Sequence, residues 1–152
     1  MAGVEEFVES AGLYFERLGL SRTAGRVIGL LLVDPGDSAD APALCESLGV
    51  AKSSMSVALG QLERGGLIER FRPPRGRRDH YRLVEDVFGR AFRAKMAEFT
   101  AFAQLAEQGL SVVGDNPKGR ARLELMRDMH AFMGREFPKL LDAWDREPRE
   151  PT

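Results

Sequence analysis

Two helical patterns separated only by Gly49 and Val50 set the strongest limit on how this chain folds. The first starts at Asp40, a residue suited to cap a helix N-terminus. Pro42 falls in its opening turn, where a missing N–H is harmless, and Leu44, Cys45 and Leu48 lie along one side. Gly49 breaks the pattern, and helical spacing resumes from Ala51 through Arg64. So short a connection makes the two helices turn sharply against each other, the outline of a helix-turn-helix. Gly65-Gly66 ends the second helix. Beyond it Leu67 to Arg72 and His80 to Val84 alternate as half-buried strands do, and Pro73-Pro74-Arg75-Gly76-Arg77-Arg78-Asp79 between them reads as an exposed hairpin tip, or wing.

Steps of 100° per residue place Ala51, Met55, Ala58, Leu59 and Leu62 on the inner side of the second helix. Ser53, Val57, Gly60 and Arg64 line the opposite side, flanked by Lys52, Ser54, Ser56 and Gln61. This outer face is small, polar and basic. A helix that merely faces solvent carries more Glu and Lys, whereas small side chains let another surface come close. The chain has 22 basic and 23 acidic residues, a net charge of −1, but their distribution is uneven. Between Gly49 and Arg82, Lys52, Arg64, Arg70, Arg72, Arg75, Arg77, Arg78 and Arg82 face only Glu63, Glu69 and Asp79, so this stretch carries +5 and the remainder −6. Such polarisation points to an acidic partner.

The 152 residues suit one domain, or a small domain with helical extensions. Val4, Phe7, Val8, Ala11, Tyr14, Phe15 and Leu18 form the stripe of an amphipathic helix that Gly19 stops. A second helix from Arg22 to Asp34 is expected to bury Ala24, Val27, Ile28, Leu31 and Leu32, and the polar, turn-forming stretch that follows through Asp40 is expected to be a loop. After Glu85 a long helix carries Phe88, Phe92, Met96, Phe99, Phe102, Ala103 and Ala106. Asn116 and Pro117 then open a last one bearing Leu123, Met126, Met129, His130, Met133, Phe137, Leu140, Leu141 and Trp144. These stripes exceed what a small winged unit can cover, so a second protomer is the expected cover. The expected fold is mainly α with a small β-hairpin wing. A winged helix-turn-helix occupies 20–84, a helical dimerisation region 4–19 and 85–146, and a frayed tail 147–152.

Other classes find little support. No apolar run approaches the roughly 18 to 20 residues of a membrane span. Met1-Ala2-Gly3-Val4-Glu5-Glu6 is acidic where an export or import signal is basic, which predicts a cytoplasmic protein. Cys45 is the single cysteine and lies among leucines with no charge to favour its thiolate, so neither a disulfide nor redox sensing is expected. His80 and His130 lie far apart and complete no zinc-ligand spacing, and the glycines form no phosphate-binding loop, so no catalytic residue, metal or cofactor is assigned. His80, at the hairpin edge, is expected to meet a nucleic-acid backbone, and His130 to be packed or at a dimer interface.

The ordered set Gly19 to Leu32, Leu48 to Ser56, Leu62-Glu63-Arg64-Gly65-Gly66-Leu67-Ile68 and Arg77-Arg78-Asp79-His80-Tyr81-Arg82 resembles the multiple-antibiotic-resistance regulator (MarR) superfamily. It is most similar there to the glycine-betaine synthesis regulator (GbsR) group. The resemblance covers residues 5 to 110. It implies a homodimer binding a pseudo-palindromic double-stranded operator, often as a repressor released by a small ligand. One departure is Ala51, where the family offers a capping Ser; its loss costs on the order of 1 kcal/mol unless Ser53 or Ser54 supplies the bond.

In a major groove about 12 Å wide, side chains near the helix N-terminus read base edges, which makes Ser53, Ser56 and Val57 the base-facing candidates. Gln61 and Arg64 are placed to reach the backbone. Lys52, Ser54 and Arg72 are expected on phosphates, and Arg75, Arg77 and Arg78 in the adjacent minor groove. If the family layout holds, Tyr14, Phe15, Phe88 and Phe92 border an effector pocket, and a quaternary ammonium is the conceivable ligand. The competing reading is a winged-helix protein-interaction module without DNA binding, which calls for an apolar outer face on the second helix.

Overall fold

A computed structural model describes residues 2–151. The elements run α1 (Ala2–Arg17), α2 (Arg22–Val33), β1 (Ala39–Asp40), α3 (Ala41–Leu48), α4 (Lys52–Arg64), β2 (Ile68–Phe71), β3 (His80–Leu83), α5 (Val87–Val112) and α6 (Pro117–Arg146). The chain divides into two compact units between Val87 and Phe88.

In the first unit α1 and α2 cross at very short range. A Cβ at Gly29 would stand 2.6 Å from that of Ala11, so only glycine permits the approach. Ser21 caps α2 by accepting from the Ala24 amide at 3.1 Å, and Asp40 caps α3 by accepting from Ala43 at 2.9 Å. Gly49 closes α3 in the left-handed region, with φ of +63°. Leu44, Met55, Leu62 and Val27 are the largest fully buried side chains, so the core lies where α2, α3 and α4 meet. Ile68 and Val84 extend it beneath the sheet.

Three expectations change. Leu32 is 39% exposed, while Gly25 and Gly29 take the buried places on α2, because that face must admit α1. Ala51 is exposed: it precedes the first turn of α4 and does not share its inner face. The stretch before Asp40, expected as loop, contains β1, which pairs Ala39 with Tyr81 and Asp40 with His80. The sheet is therefore three antiparallel strands in the order β1-β3-β2, with Ile68 opposite Leu83 and Phe71 opposite His80.

The second unit is an antiparallel helical hairpin. Asn116 accepts from the Gly119 amide at 2.9 Å, with Pro117 in the first turn. Gly109 packs under Leu123, His130 stacks on Phe102 with ring centres 4.2 Å apart, and Phe99 meets Phe137 edge-on at 5.3 Å. The His130 Nδ1 lies 2.7 Å from the Met126 carbonyl, so this ring is packed as expected. Helices of 26 and 30 residues, roughly 40 Å each, nevertheless bury only Ala106 and Leu141 among their apolar residues. Phe88, Phe92, Phe102, Met129, Phe132, Leu140 and Trp144 remain 45–65% exposed.

Candidate nucleic-acid interface

The inner face of α4 is fixed by Met55, Ala58, Leu59 and Leu62, each 0–3% exposed. That leaves Lys52, Ser53, Ser54, Ser56 and Val57 outward, all exposed, with Val57 at 68%. Ala51 makes no side-chain cap bond, and neither Ser53 nor Ser54 replaces it. The first amides of α4 therefore stay open at the positive end of the helix dipole, an arrangement that suits a phosphate. Gln61 has a partner within the fold: its Oε1 accepts from the Ser21 amide at 3.0 Å, so it ties α4 to the start of α2. Arg64 is exposed and lies back over Gly60, where a Cβ would stand 3.0 Å from its Nη1.

The wing arginines fall into two groups. Those on the strands belong to the sheet. Arg82 pairs with Glu69 directly opposite at 2.7 Å and lies 4.1 Å over the Phe71 ring. Arg70 meets Glu63 at 2.9 Å and Asp79 at 3.7 Å; its hydrogen bond to Glu63, then the charges of Tyr81 and Glu63, hold its guanidinium above the ordinary pKa. Arg72 donates from Nε and Nη2 to Asp79 at 3.2 and 3.0 Å, and Arg78 lies 3.6 Å from Asp40. Arg75 and Arg77, at the tip, have no ion pair among the described residues, nor do Lys52 and Arg64. Exposed pairs such as Arg72–Asp79 contribute only about 0–1 kcal/mol, so those arginines exchange a carboxylate for a phosphate at little cost. Arg75 and Arg77 have no pair to break. Arg75 is held at φ of +66° by a tight turn in which the Gly76 amide donates to the Pro73 carbonyl at 2.8 Å.

His80 is half-buried beside Phe71, at 6.0 Å between ring centres, and its Nδ1 is buried without a hydrogen-bond partner. That nitrogen is therefore not the atom available to a backbone phosphate. In the first unit Tyr14, 59% exposed, meets Phe15 edge-on at 5.4 Å. In the second, Phe88 and Phe92 are 51% and 54% exposed on α5. Cys45 packs half-buried against the core. Among the described residues no group of three or more His, Cys, Asp or Glu is placed to hold a metal ion, and no helix is long and apolar enough to cross a membrane.

Composition could not reveal three contacts: Glu9 with Arg26, Arg26 with the Leu48 carbonyl, and Gln61 with Ser21. Each joins residues 17 to 40 positions apart, and the sequence carries no local signal for them.

Residues 18–79 match the MarR family, and residues 86–147 match the MmpR5-like MarR family transcriptional regulators. The HTH-type transcriptional regulator MmpR5 of Mycobacterium tuberculosis is 35% identical over 131 residues, 86% of this chain and 79% of that protein. The chain belongs to the MarR family. It is a DNA-binding transcriptional regulator, like the other winged-helix regulators of the MarR family. A crystal structure of a transcriptional regulator aligns with a TM-score of 0.83 at 32% identity, covering 95% of this chain and 99% of that one. A MarR-type winged helix over nearly the whole length agrees with the α-rich fold and three-stranded sheet described above.

Proposed function

We propose that this MarR-family protein is a cytoplasmic, homodimeric, ligand-responsive repressor that binds a pseudo-palindromic operator. The observation that carries the reading is the outward face of α4, where Lys52, Ser53, Ser54, Ser56 and Val57 are exposed beside a wing tip holding unpaired Arg75 and Arg77. Ser53, Ser56 and Val57 read base edges, the last against a thymine methyl. Lys52, Ser54, Arg64 and Arg72 meet phosphates, and Arg75, Arg77 and Arg78 follow the minor groove. Gln61 serves by orienting α4. A protein-interaction module would present an apolar outer helix; Val57 is the one large apolar residue there.

Residues 20–84 form the DNA-binding part, and 4–19 with 85–146 the dimerising part. The support is the apolar surface left uncovered on α5 and α6, which a second copy buries across a two-fold axis. The effector residues are carried over from the family layout unit by unit: Tyr14 and Phe15 on α1 in the first unit, and Phe88 and Phe92 on α5 in the second, each an aromatic group that can offer a π face to an organic cation. The motifs favour the glycine-betaine branch, whereas the match over residues 86–147 draws the helical half toward the MmpR5-like members. Footprinting on DNA upstream of its own gene is expected to show two protected half-sites about one helical turn, ~10 base pairs, apart. A single protected segment without two-fold symmetry contradicts the dimeric reading.

A further inference from the structure

We infer that Arg26 is a positioning residue for DNA recognition, a latch that fixes the turn ahead of α4 to α1 and α2 without touching DNA. The inference rests on α4 being the DNA-reading helix. Arg26 stands on α2 with its side chain only 20% exposed. Its Nε donates to Glu9 on α1 at 2.7 Å, and its Nη2 donates to the carbonyl of Leu48 at 2.9 Å. Leu48 is the last residue of α3, and its carbonyl is one that the helix cannot satisfy internally. A guanidinium is the fitting donor at this negative end of the dipole, and its planar fork holds a carboxylate and a carbonyl together.

Immediately after Leu48, Gly49 turns the chain at φ of +63°, and α4 begins at Lys52. On the other side of the latch Glu9 also meets Arg22 at 3.5 Å, and the close packing at Gly29 makes α1 and α2 one rigid pair. One side chain thus joins that pair to the turn. The C-terminal half of α4 has its own tether, Gln61 to the Ser21 amide at 3.0 Å. Losing Arg26 therefore releases only the end of α4 that enters the groove. An open cleft of about 350 Å³, bordered by Val8, Glu9, Arg26, Leu30 and Leu48, leaves the turn room to shift.

The test uses full-length Arg26→Gln and Arg26→Lys proteins, with thermal melting followed by circular dichroism. Anisotropy titrations on operator and scrambled duplexes are then run across salt concentrations. Arg26→Gln is expected to stay folded and lose operator affinity about tenfold, with affinity for the scramble and the salt slope unchanged, because no phosphate contact is lost. Arg26→Lys, which reaches one partner at a time, falls between. A lowered melting temperature with unchanged operator affinity would overturn the proposal in favour of a merely structural role. Parallel losses on both duplexes, with the slope reduced by about one, would overturn it in favour of a phosphate contact. Val57→Glu is the control: undiminished operator binding by that variant removes the α4 reading and the latch with it, whereas wild-type behaviour of both Arg26 variants removes the latch alone.

Discussion

Val57→Glu is expected to lose most of its operator binding while the protein stays folded. The side chain is 68% exposed at the centre of the outward α4 face, so the substitution changes stability by no more than about 0.5 kcal/mol. In the complex the new carboxylate enters a groove walled by phosphates whose charge repels it, and it replaces the apolar contact expected with a thymine methyl, so its desolvation is not offset there. The expected loss is at least about 100-fold, some 2.7 kcal/mol, near the upper range for one disrupted base-pair contact. Val57→Ala, which removes only a methyl contact, costs a few-fold. Anisotropy titration checks both, with circular dichroism as the folding control. Equal binding by wild type and Val57→Glu is the outcome that rules out α4 as the reading helix.

The second large effect lies in the other unit. Phe132 and Leu140 are 50% and 65% exposed on α6, on the outward stripe that also carries Met129 and Trp144. The double variant Phe132→Glu/Leu140→Glu is expected to sediment as a monomer, because two unpaired carboxylates enter the apolar surface proposed to be covered by a second copy. Operator affinity then falls by about 10² to 10⁴, since two half-sites are no longer engaged by one linked molecule. Retention of the wild-type sedimentation coefficient contradicts the assignment of this stripe to the dimer. A wild-type protein that already sediments as a monomer contradicts the dimeric reading altogether.

The helix-turn-helix was legible because its signals are local. Asp40, Pro42, Gly49 and Gly65-Gly66 punctuate the chain, and the apolar spacing between them is unambiguous. The arginine-rich tip was legible for the same reason. What escaped depends on contacts that no window contains. β1 has two residues and no period to detect; its existence follows from pairing with β3. Gly25 and Gly29 carry no hydropathy, so the face of α2 that admits α1 was assigned instead to Leu32.

Among the basic residues, net charge was read correctly but its division was not. Arg70, Arg72, Arg78 and Arg82 are neutralised by Glu63, Asp79, Asp40 and Glu69, partners 7 to 38 positions away that only the folded chain brings near. Gln61 illustrates the same limit, since its place on the helical wheel is compatible with a DNA contact while its carbonyl is engaged by Ser21. Pro138 lies inside α6, which continues on both sides of it, and packing of the hairpin outweighs the one backbone donor it removes.

The central claim is that α4 and the wing tip recognise one DNA sequence by direct contact. It is tested most directly by fluorescence-anisotropy titration of the full-length protein against the duplex upstream of its own gene, with a scrambled duplex as control, across a range of salt concentrations. The predicted result is binding at least ~10³-fold tighter to the native duplex, weakening steeply with salt as several phosphates are neutralised. No binding to either duplex at low salt is the result that contradicts it.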